Sequence, residues 1–269
     1  MRPWLATRVL CWREIVRFFR QRNRIIGAIG QPVLFWLLFS VGFERSFRVS
    51  EIEGQGFREY YFPGTLMLIL LFTAIFATIS IIEDRREGFL QSVLVAPVPR
   101  WAMVLGKVLG GAIIAMMQGL LFLVLALTVN IETSVLNLLV LVLLMFVSAV
   151  GLTSLGFVIA WRMESTQGFH AIMSVLLMPM WLLSGAFFPI PAATVDSAWT
   201  QLAMHWIMRV NPVTYCVGGV RQLLMSPPPN ETFYTPSAAL CWIVATAFAG
   251  VMFVAAWMIS KQRTTGDLL

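Results

Sequence analysis

The stretch FPGTLMLILLFTAIFATISII, residues 62–82, decides the fold class because it runs across 21 positions without a charged side chain. An α-helix needs about 20 mostly apolar residues to cross the hydrocarbon core of a bilayer. Strands of a membrane barrel are about ten residues long and alternate in polarity, so this uniform run predicts a helix. The charged residues EDRRE at 83–87 follow at once and mark the end of the span.

Further uncharged runs of similar length occupy residues 25–43, 108–131, 133–161, 168–195 and 232–260. The chain is 59% hydrophobic and only 12% charged, whereas soluble domains carry about 25% charged residues. This composition excludes a soluble domain. It predicts an all-α integral membrane protein, with six transmembrane helices in a single domain over residues 1–269.

The basic residues predict an orientation. Fourteen of the 19 Lys and Arg residues lie in the segments 1–24, 83–107, 162–167 and 261–269, which are on one side of a six-span protein. Lys and Arg concentrate in cytoplasmic segments of membrane proteins. We therefore expect both termini in the cytoplasm, and we attribute the net charge of +6 to arginines that meet anionic lipid headgroups.

Residues 1–24 predict a basic amphipathic helix that lies flat on the inner leaflet. Its apolar residues recur at helical spacing, and arginines dominate the remaining positions. The apolar set is Trp4, Leu5, Val9, Trp12, Val16 and Phe19.

The fifth run contains Pro179 near its middle, where a proline removes a backbone hydrogen bond and predicts a kink. The residues that follow are too polar to span the membrane again. They are apolar enough to enter the outer leaflet, so we expect an external re-entrant region of short helices over residues 190–231.

Several chemical motifs are missing from the sequence. There is no GxxxxGK[ST] motif for nucleotide phosphates, and Cys11, Cys216 and Cys241 lack the spacing of metal ligands. No convergent set of acid, base or metal ligands supports a membrane-embedded enzyme. No predicted span has a charged residue at its centre, which argues against an ATP-independent carrier or channel, the alternative function.

The charged stretch after residue 82 predicts an amphipathic helix over Glu83–Ala96 that ends at Pro97 and Pro99. Phe89, Leu90, Val93 and Leu94 share one face of such a helix. Two interpretations follow from the residues alone. The helix either docks on lipid or binds a cytoplasmic protein that moves it.

Four segments together resemble the type-2 ABC exporter permease family, most closely its multidrug or antibiotic-resistance and nodulation-type members. They are EDRREGFLQSVLVAPVPRWAMVLGK (83–107), YFPGTLMLILL (61–71), LLSGAFFPIP (182–191) and NPVTYCVGGVRQLL (211–224). The resemblance implies a coupling-helix loop at 83–100 that docks on a separate ATPase subunit. It also implies export by a homodimeric permease in the cytoplasmic (inner) membrane, with no cofactor in this chain and with ATP and Mg²⁺ on the partner.

By this resemblance, the charged residues that would form ion pairs at the rim of the ATPase cleft are Glu83, Asp84, Arg86 and Glu87. The apolar residues that would be buried between the ATPase and the membrane domain are Phe89, Leu90, Val93 and Leu94. Pro97 and Arg100 would set the return into span three, and Arg85 and Gly88 complete the expected ATPase-docking set.

An amphipathic, drug-like or lipid-linked substrate suits an apolar pathway without central charges. Spans two and five are its expected walls, which in the resembling family meet their symmetry mates at the dimer axis. The expected pathway or gate residues are Phe72, Phe76, Pro179, Leu183, Phe187 and Phe188. The alternative is that these aromatic residues face lipid or pack within one copy.

Overall fold

The computed structural model describes residues 3–43, 57–128, 133–193, 198–225 and 233–262 of the chain. Regular structure in this part of the chain is helical, apart from an isolated β-bridge between Pro191 and Phe233. The helices are α1 (Pro3–Arg20), α2 (Arg22–Phe43), α3 (Phe57–Ala77), α4 (Ile79–Arg86), α5 (Phe89–Val95), α6 (Arg100–Leu123), α7 (Val135–Arg162), α8 (Thr166–Trp181), α9 (Trp199–Val210), α10 (Pro212–Leu224) and α11 (Ala238–Ser260). A 3-10 turn (Val124–Thr128) follows α6, and a π-turn (Leu182–Ala186) follows α8. The all-α prediction is confirmed.

Five helical segments are long and apolar enough to cross a membrane, and they coincide with predicted spans two to six. They are Phe57–Arg86, Arg100–Leu127, Val135–Arg162, Thr166–Ala186 and Ala238–Ser260. The first predicted span lies in α2, whose side chains are described only in part. Parts of the predictions for residues 44–56, 129–132, 194–197, 226–232 and 263–269 lie outside the described residues.

Two helices are shorter than the uncharged runs from which their spans were predicted. The fifth run extends to residue 195, but helical structure ends at Ala186, before Pro189 and Pro191. The sixth run begins at residue 232, but α11 begins at Ala238. Its start is fixed by Ser237, whose side chain accepts a hydrogen bond from the backbone N–H of Leu240 at 3.4 Å. The apolar content of a run does not show where such a capping residue begins the helix.

Helix α3 forms the centre of the bundle. In its span, 83% of the residues in the most apolar stretch are buried, against 17% in α11. It packs against α2, α6 and α7, and the side chains of Leu66, Leu70 and Ile75 are fully buried. The leucines and valines exposed on α7 and α11 are the surface expected to face lipid, since lipid tails and these side chains are equally apolar.

Helix α1 lies along α6 and not apart from the bundle. A Cβ atom at Gly106 would come within 2.9 Å of the Thr7 carbonyl oxygen, and one at Gly110 within 2.7 Å of the Glu14 Cβ. These glycines therefore permit the close helix contact that a small-xxx-small spacing allows. The opposite face of α1, with Trp4 and Trp12, is exposed. The first helix ends at Arg20, short of the predicted residue 24, because α2 begins at Arg22. Its amphipathic role on the inner leaflet stays a prediction.

Candidate functional sites: the coupling region and the aromatic cavity

The coupling region consists of α4, α5 and the contacts that hold them. Helix α4 continues the direction of α3 after Thr78 and ends at Arg86, so the span reaches 30 residues. Gly88 then takes a left-handed conformation with φ 77°, and α5 begins. The prediction of one helix over Glu83–Ala96 is wrong, because a glycine adopts this conformation readily and interrupts the helix. The predicted end is confirmed, since Ala96 is extended and Pro97 follows.

The apolar face of α5 is turned towards the permease itself. The side chain of Leu90 is 3% exposed, and Phe89, Val93 and Leu94 are partly buried against the same core. The opposite face carries Gln91, Ser92 and Val95, and Val95 is 85% exposed. The exposed face of α5 therefore lies on the side away from the predicted apolar contacts.

Asp84 lies at the centre of a buried ionic cluster, which consists of Arg13, Glu14, Arg17, Asp84 and Lys107. The Arg13 guanidinium donates two hydrogen bonds to the Asp84 carboxylate, at 2.6 and 2.9 Å. Arg17 donates a third at 2.6 Å, and Lys107 also binds Asp84. The Asp84 side chain has no exposed surface. Its charge is thus neutralised by cations from α1 and α6 inside this chain.

The same cluster joins α1 to α5 and α6. Lys107 donates to the Glu14 carboxylate at 2.5 Å, with both side chains about as buried as the core. The Arg13 guanidinium also lies 3.6 Å from the centre of the Phe89 ring. Partial burial lowers the pKa of Arg13, but the hydrogen bonds and charge of Asp84, together with the charges of Glu14 and Glu87, outweigh it, so the pKa is raised. The arginine stays charged while it bridges α1, α4 and α5.

The Arg85 side chain binds the C-terminal end of a neighbouring helix. Its guanidinium donates hydrogen bonds to the backbone oxygens of Trp161 at 2.6 Å and Met163 at 3.1 Å. Helix α7 ends at Arg162, so these are carbonyls at its C-terminus, where a basic group is favourable. Arg85 therefore fixes the end of α4 against the end of α7.

Three of the motifs quoted above meet at the π-turn after α8. Leu183 and Gly185 leave helical geometry there, and Gly185 has φ 78°. The Gly185 carbonyl accepts hydrogen bonds from the Arg221 guanidinium at 2.9 Å and from the Tyr60 hydroxyl at 3.3 Å. A Cβ at Gly64 would lie 2.6 Å from the Ala186 oxygen, so only glycine allows this approach.

Asn211 and Thr214 satisfy further carbonyls of the broken helix. The Asn211 side-chain amide donates to the backbone oxygens of Met180 at 2.5 Å and Leu183 at 3.1 Å. Its oxygen accepts from the N–H of Val213, and this caps α10. A break in a buried helix is stable only when the freed carbonyls find such donors. The departure from helical angles falls at Leu183 and Gly185, whereas the sequence predicted it at Pro179, which lies inside α8.

A cavity of about 800 Å³ runs between α2, the α3–α4 span and α8. Many of its wall residues are aromatic, among them Phe39, Phe72, Phe76 and Trp181. Its polar lining residues are Thr73 within α3 and, nearer the coupling region, Gln21, Glu83, Thr166 and His170. The size and composition are those of a site for an apolar small molecule.

A comparison with protein families gives the family. The model described as "ABC-2 type transporter" matches residues 6–225. The chain belongs to the ABC-2 type transporter family. It is therefore a permease, the transmembrane transport subunit of an ABC transporter, and not an enzyme. Membership in the family also implies a partner ATPase.

Individual relatives agree with this assignment. "Putative transport permease ycf38" of Cyanophora paradoxa is 25% identical over 218 residues, covering 80% of this chain and 72% of that protein. "Inner membrane transport permease YadH" of Escherichia coli (strain K12) is 22% identical, covering 81% and 82%. "Nodulation protein J" of Rhizobium meliloti (strain 1021) is 22% identical, covering 91% and 90%.

The predicted docking residues of this ABC-2 permease differ in exposure. Asp84 is engaged inside the chain and does not lie at an exposed rim, and Arg85 binds the end of α7. Arg86 and Glu87 at the end of α4 are exposed, as is Pro97, whereas Glu83 and Arg100 are half-buried. The predicted set did not include the outward residues Gln91, Ser92 and Val95 of α5, because it followed the apolar periodicity to the face that packs inward.

The predicted pathway residues are also divided. Phe72, Phe76 and Phe187 line the cavity, and they lie within one subunit. Leu183 belongs to the π-turn, Pro179 is exposed on α8, and Phe188 is 49% exposed with its ring 4.7 Å from that of Phe187. The cavity residues Tyr61 and Leu182 stand at the start of two quoted motifs and Trp181 directly precedes one of them, yet none of the three was among the predicted pathway residues.

Proposed function

We propose that this permease exports an amphipathic, drug-like or lipid-linked substrate as a homodimer with a separate ATPase, which binds ATP and Mg²⁺. The observation that carries the proposal is the continuous span Phe57–Arg86. One side of this span lines the aromatic cavity, and its end leads directly through Gly88 into α5. A movement of α5 thus acts on a cavity wall without an intervening loop.

Docking of the ATPase is assigned to the outward surface formed by Glu87, Gln91, Ser92 and Val95, together with the exposed Arg86. This surface combines charged, polar and apolar groups, the composition of an interface that forms between two folded proteins. The inward face of α5 has a second role in this proposal, which is to transmit the movement of α5 to the core. The residues of this face, which pack against the core, are Phe89, Leu90, Val93 and Leu94.

The proposed topology has six spans, including α2, with both termini in the cytoplasm. The ionic cluster supports one part of it, because direct contacts between α1, α4 and α6 require residues 1–24 and 83–107 to share a side. The count of basic residues supports the cytoplasm as that side. The relative named an inner membrane transport permease supports the inner membrane as the location.

The test is ATP hydrolysis by the permease co-purified with its ATPase in lipid. Val95→Asp places a charge on the docking surface. It should therefore strongly reduce the amount of ATPase that co-purifies with the permease and the rate of any substrate-stimulated ATP hydrolysis. Val210→Asp is the matched control, because Val210 on α9 is similarly exposed, at 80% against 85%. Equal ATPase recovery with both variants would contradict docking at α5.

A further inference from the structure

The end of the cavity nearest the coupling region presents hydrogen-bond acceptors. Glu83 on α4 lines this end together with Thr166 and His170 on α8, and the two helices are in contact. Thr166 and His170 are four positions apart, so they lie on one face of α8. A carboxylate only accepts hydrogen bonds, and a hydroxyl or a neutral imidazole can accept one. This end of the cavity therefore suits a ligand group that is rich in hydrogen-bond donors.

The polar atoms of these three side chains are open to a ligand. His170 is exposed, and Glu83 and Thr166 are partly exposed. One carboxylate oxygen of Glu83, Oε2, lies 3.0 Å from an Arg17 nitrogen. The other, Oε1, makes no hydrogen bond or ion pair with the residues that the structure describes, and the same holds for the Thr166 hydroxyl and the His170 ring nitrogens.

The ion pairs beside this end of the cavity carry one more negative charge than positive charges. Among the described side chains, four carboxylates pair with three cations; they are Glu14, Glu83, Asp84 and Glu87, with Arg13, Arg17 and Lys107. Arg17 is shared between Glu83, Asp84 and Glu87. The neighbouring Arg85 binds carbonyls at the end of α7 instead. The excess charge favours a positive ligand group at Glu83.

The aromatic wall begins directly beside these acceptors. The centroid of the His170 ring lies 5.1 Å from that of Phe76, which lies 5.6 Å from that of Phe72. Both phenylalanines line the cavity. Aromatic faces attract cations and stack with aromatic ligands. A ligand with a positive group at one end and an aromatic body therefore uses the acceptors and the wall at the same time.

We infer that the cavity binds an amphipathic organic cation, with its positive group at Glu83 and its aromatic or apolar body against Phe72 and Phe76. Glu83 is then a specificity-determining residue, and Thr166 and His170 accept further hydrogen bonds from the positive group. The inference deepens the proposed function and rests on it, since it names the charge of a substrate that enters this cavity. An uncharged molecule of the same shape lacks the attraction to Glu83.

The test compares two photoreactive probes of nearly the same shape, with the full-length permease in phosphatidylcholine nanodiscs without ATPase or ATP. Aminomethylbenzophenone carries an ammonium group at neutral pH, whereas methylbenzophenone carries no charge. Mass spectrometry measures how much of each probe becomes attached to cavity-wall residues such as Phe76 and Met178. The measured quantity is the ratio of the two labelling yields, ammonium probe to uncharged probe.

Glu83→Gln keeps the shape of the side chain and removes its charge, so the labelling ratio should fall about three- to tenfold. Glu87→Gln is the matched control. It removes another carboxylate that pairs with Arg17, at 3.2 Å, but Glu87 is not one of the residues that line the cavity. It should keep the ratio of the unmodified permease. Comparing ratios between variants in one lipid cancels the different partitioning of the two probes.

His170→Phe is a second variant, which keeps a ring beside Phe76 and removes both ring nitrogens. The His170 side chain is exposed, so the midpoint of thermal unfolding should stay unchanged. The labelling ratio should fall roughly two- to fivefold, because one acceptor is lost. This variant decides the question if thermal unfolding shows that Glu83→Gln does not fold.

Two results would overturn the inference. An unchanged ratio in folded Glu83→Gln or in His170→Phe, or an equal fall in Glu87→Gln, would show that the cavity does not recognise a positive group at Glu83. Labelling by the ammonium probe only outside the cavity wall would show that the cavity does not hold the cation. None of these measurements involves ATP or transport, so an absence of export with the ATPase would contradict the proposed function and leave the cation site unaffected.

Discussion

Asp84 shows how far the role of one residue depends on its surroundings. In the sequence it is one of five consecutive charges, and such runs are usually solvated. In the structure it accepts hydrogen bonds from Arg13, which is 71 positions away in the chain, and also binds Lys107. A fully buried carboxylate among cations stabilises the fold only as long as the set of charges is complete.

Replacing Asp84 by Asn keeps the shape of the side chain and removes its charge, so the cations of Arg13 and Lys107 lose a counterion in a buried site. We expect a loss of about 3–5 kcal/mol of stability, measured as a lower midpoint of thermal unfolding in detergent. Glu87→Gln, at a side chain that is 60% exposed, should change the stability by less than about 0.5 kcal/mol. Equal effects of the two changes would contradict a buried role for Asp84.

At the scale of the element, Gly88 separates a span from a short helix lying against the bundle. A Cβ at Gly88 would meet no atom within 4 Å, so a substitution there acts only through the backbone. A residue with a side chain disfavours the left-handed conformation by about 1–2 kcal/mol. It therefore favours continuation of α4 into α5, which would swing α5 away from its contacts with the core.

Gly88→Ala should consequently reduce ATP hydrolysis stimulated by substrate while the permease stays folded. Substrate-stimulated hydrolysis in lipid measures the first effect, and thermal unfolding measures the second. Gly250→Ala in α11 is the control, since a Cβ there also meets nothing within 4 Å and the helical backbone suits alanine. Unchanged stimulation in Gly88→Ala would show that the bend is not needed for coupling.

The same elements show what the sequence could predict. Uniform apolar runs predicted the spans, because every residue in a lipid environment contributes to that signal. The bends at Gly88 and Gly185 were not predicted, since each depends on one backbone conformation and, at Gly185, on donors such as Arg221. The outward face of α5 was missed because helical periodicity identifies an apolar face without saying what covers it. The buried cluster required knowledge that α1 contacts α6.

At the scale of the whole molecule, the orientation of the bundle is open to direct measurement. Ser92 on α5 and Gln201 on α9 are both exposed and lie in regions proposed to be on opposite sides of the membrane. The native Cys216 and Cys241 are buried, so only Cys11 needs replacement by Ser.

A cysteine at Gln201 should react with a membrane-impermeant maleimide added to intact cells, and a cysteine at Ser92 only after the membrane is opened. The positive-inside pattern is the physical reason for this expectation. Gel-shift labelling measures both sites under the same conditions. The reverse pattern of reactivity would invert the proposed topology.

The buried ionic cluster also has a consequence for how the chain is made. Glu14 and Lys107 are 93 positions apart, and ribosomes add roughly 5–20 residues per second, so about 5–19 s separate their synthesis. During that interval the charges of α1 lack the partner from α6 and must remain hydrated at the membrane surface. The first helix to be synthesised is thus not the first to reach its final contacts, because it docks only after the third apolar segment has begun to insert.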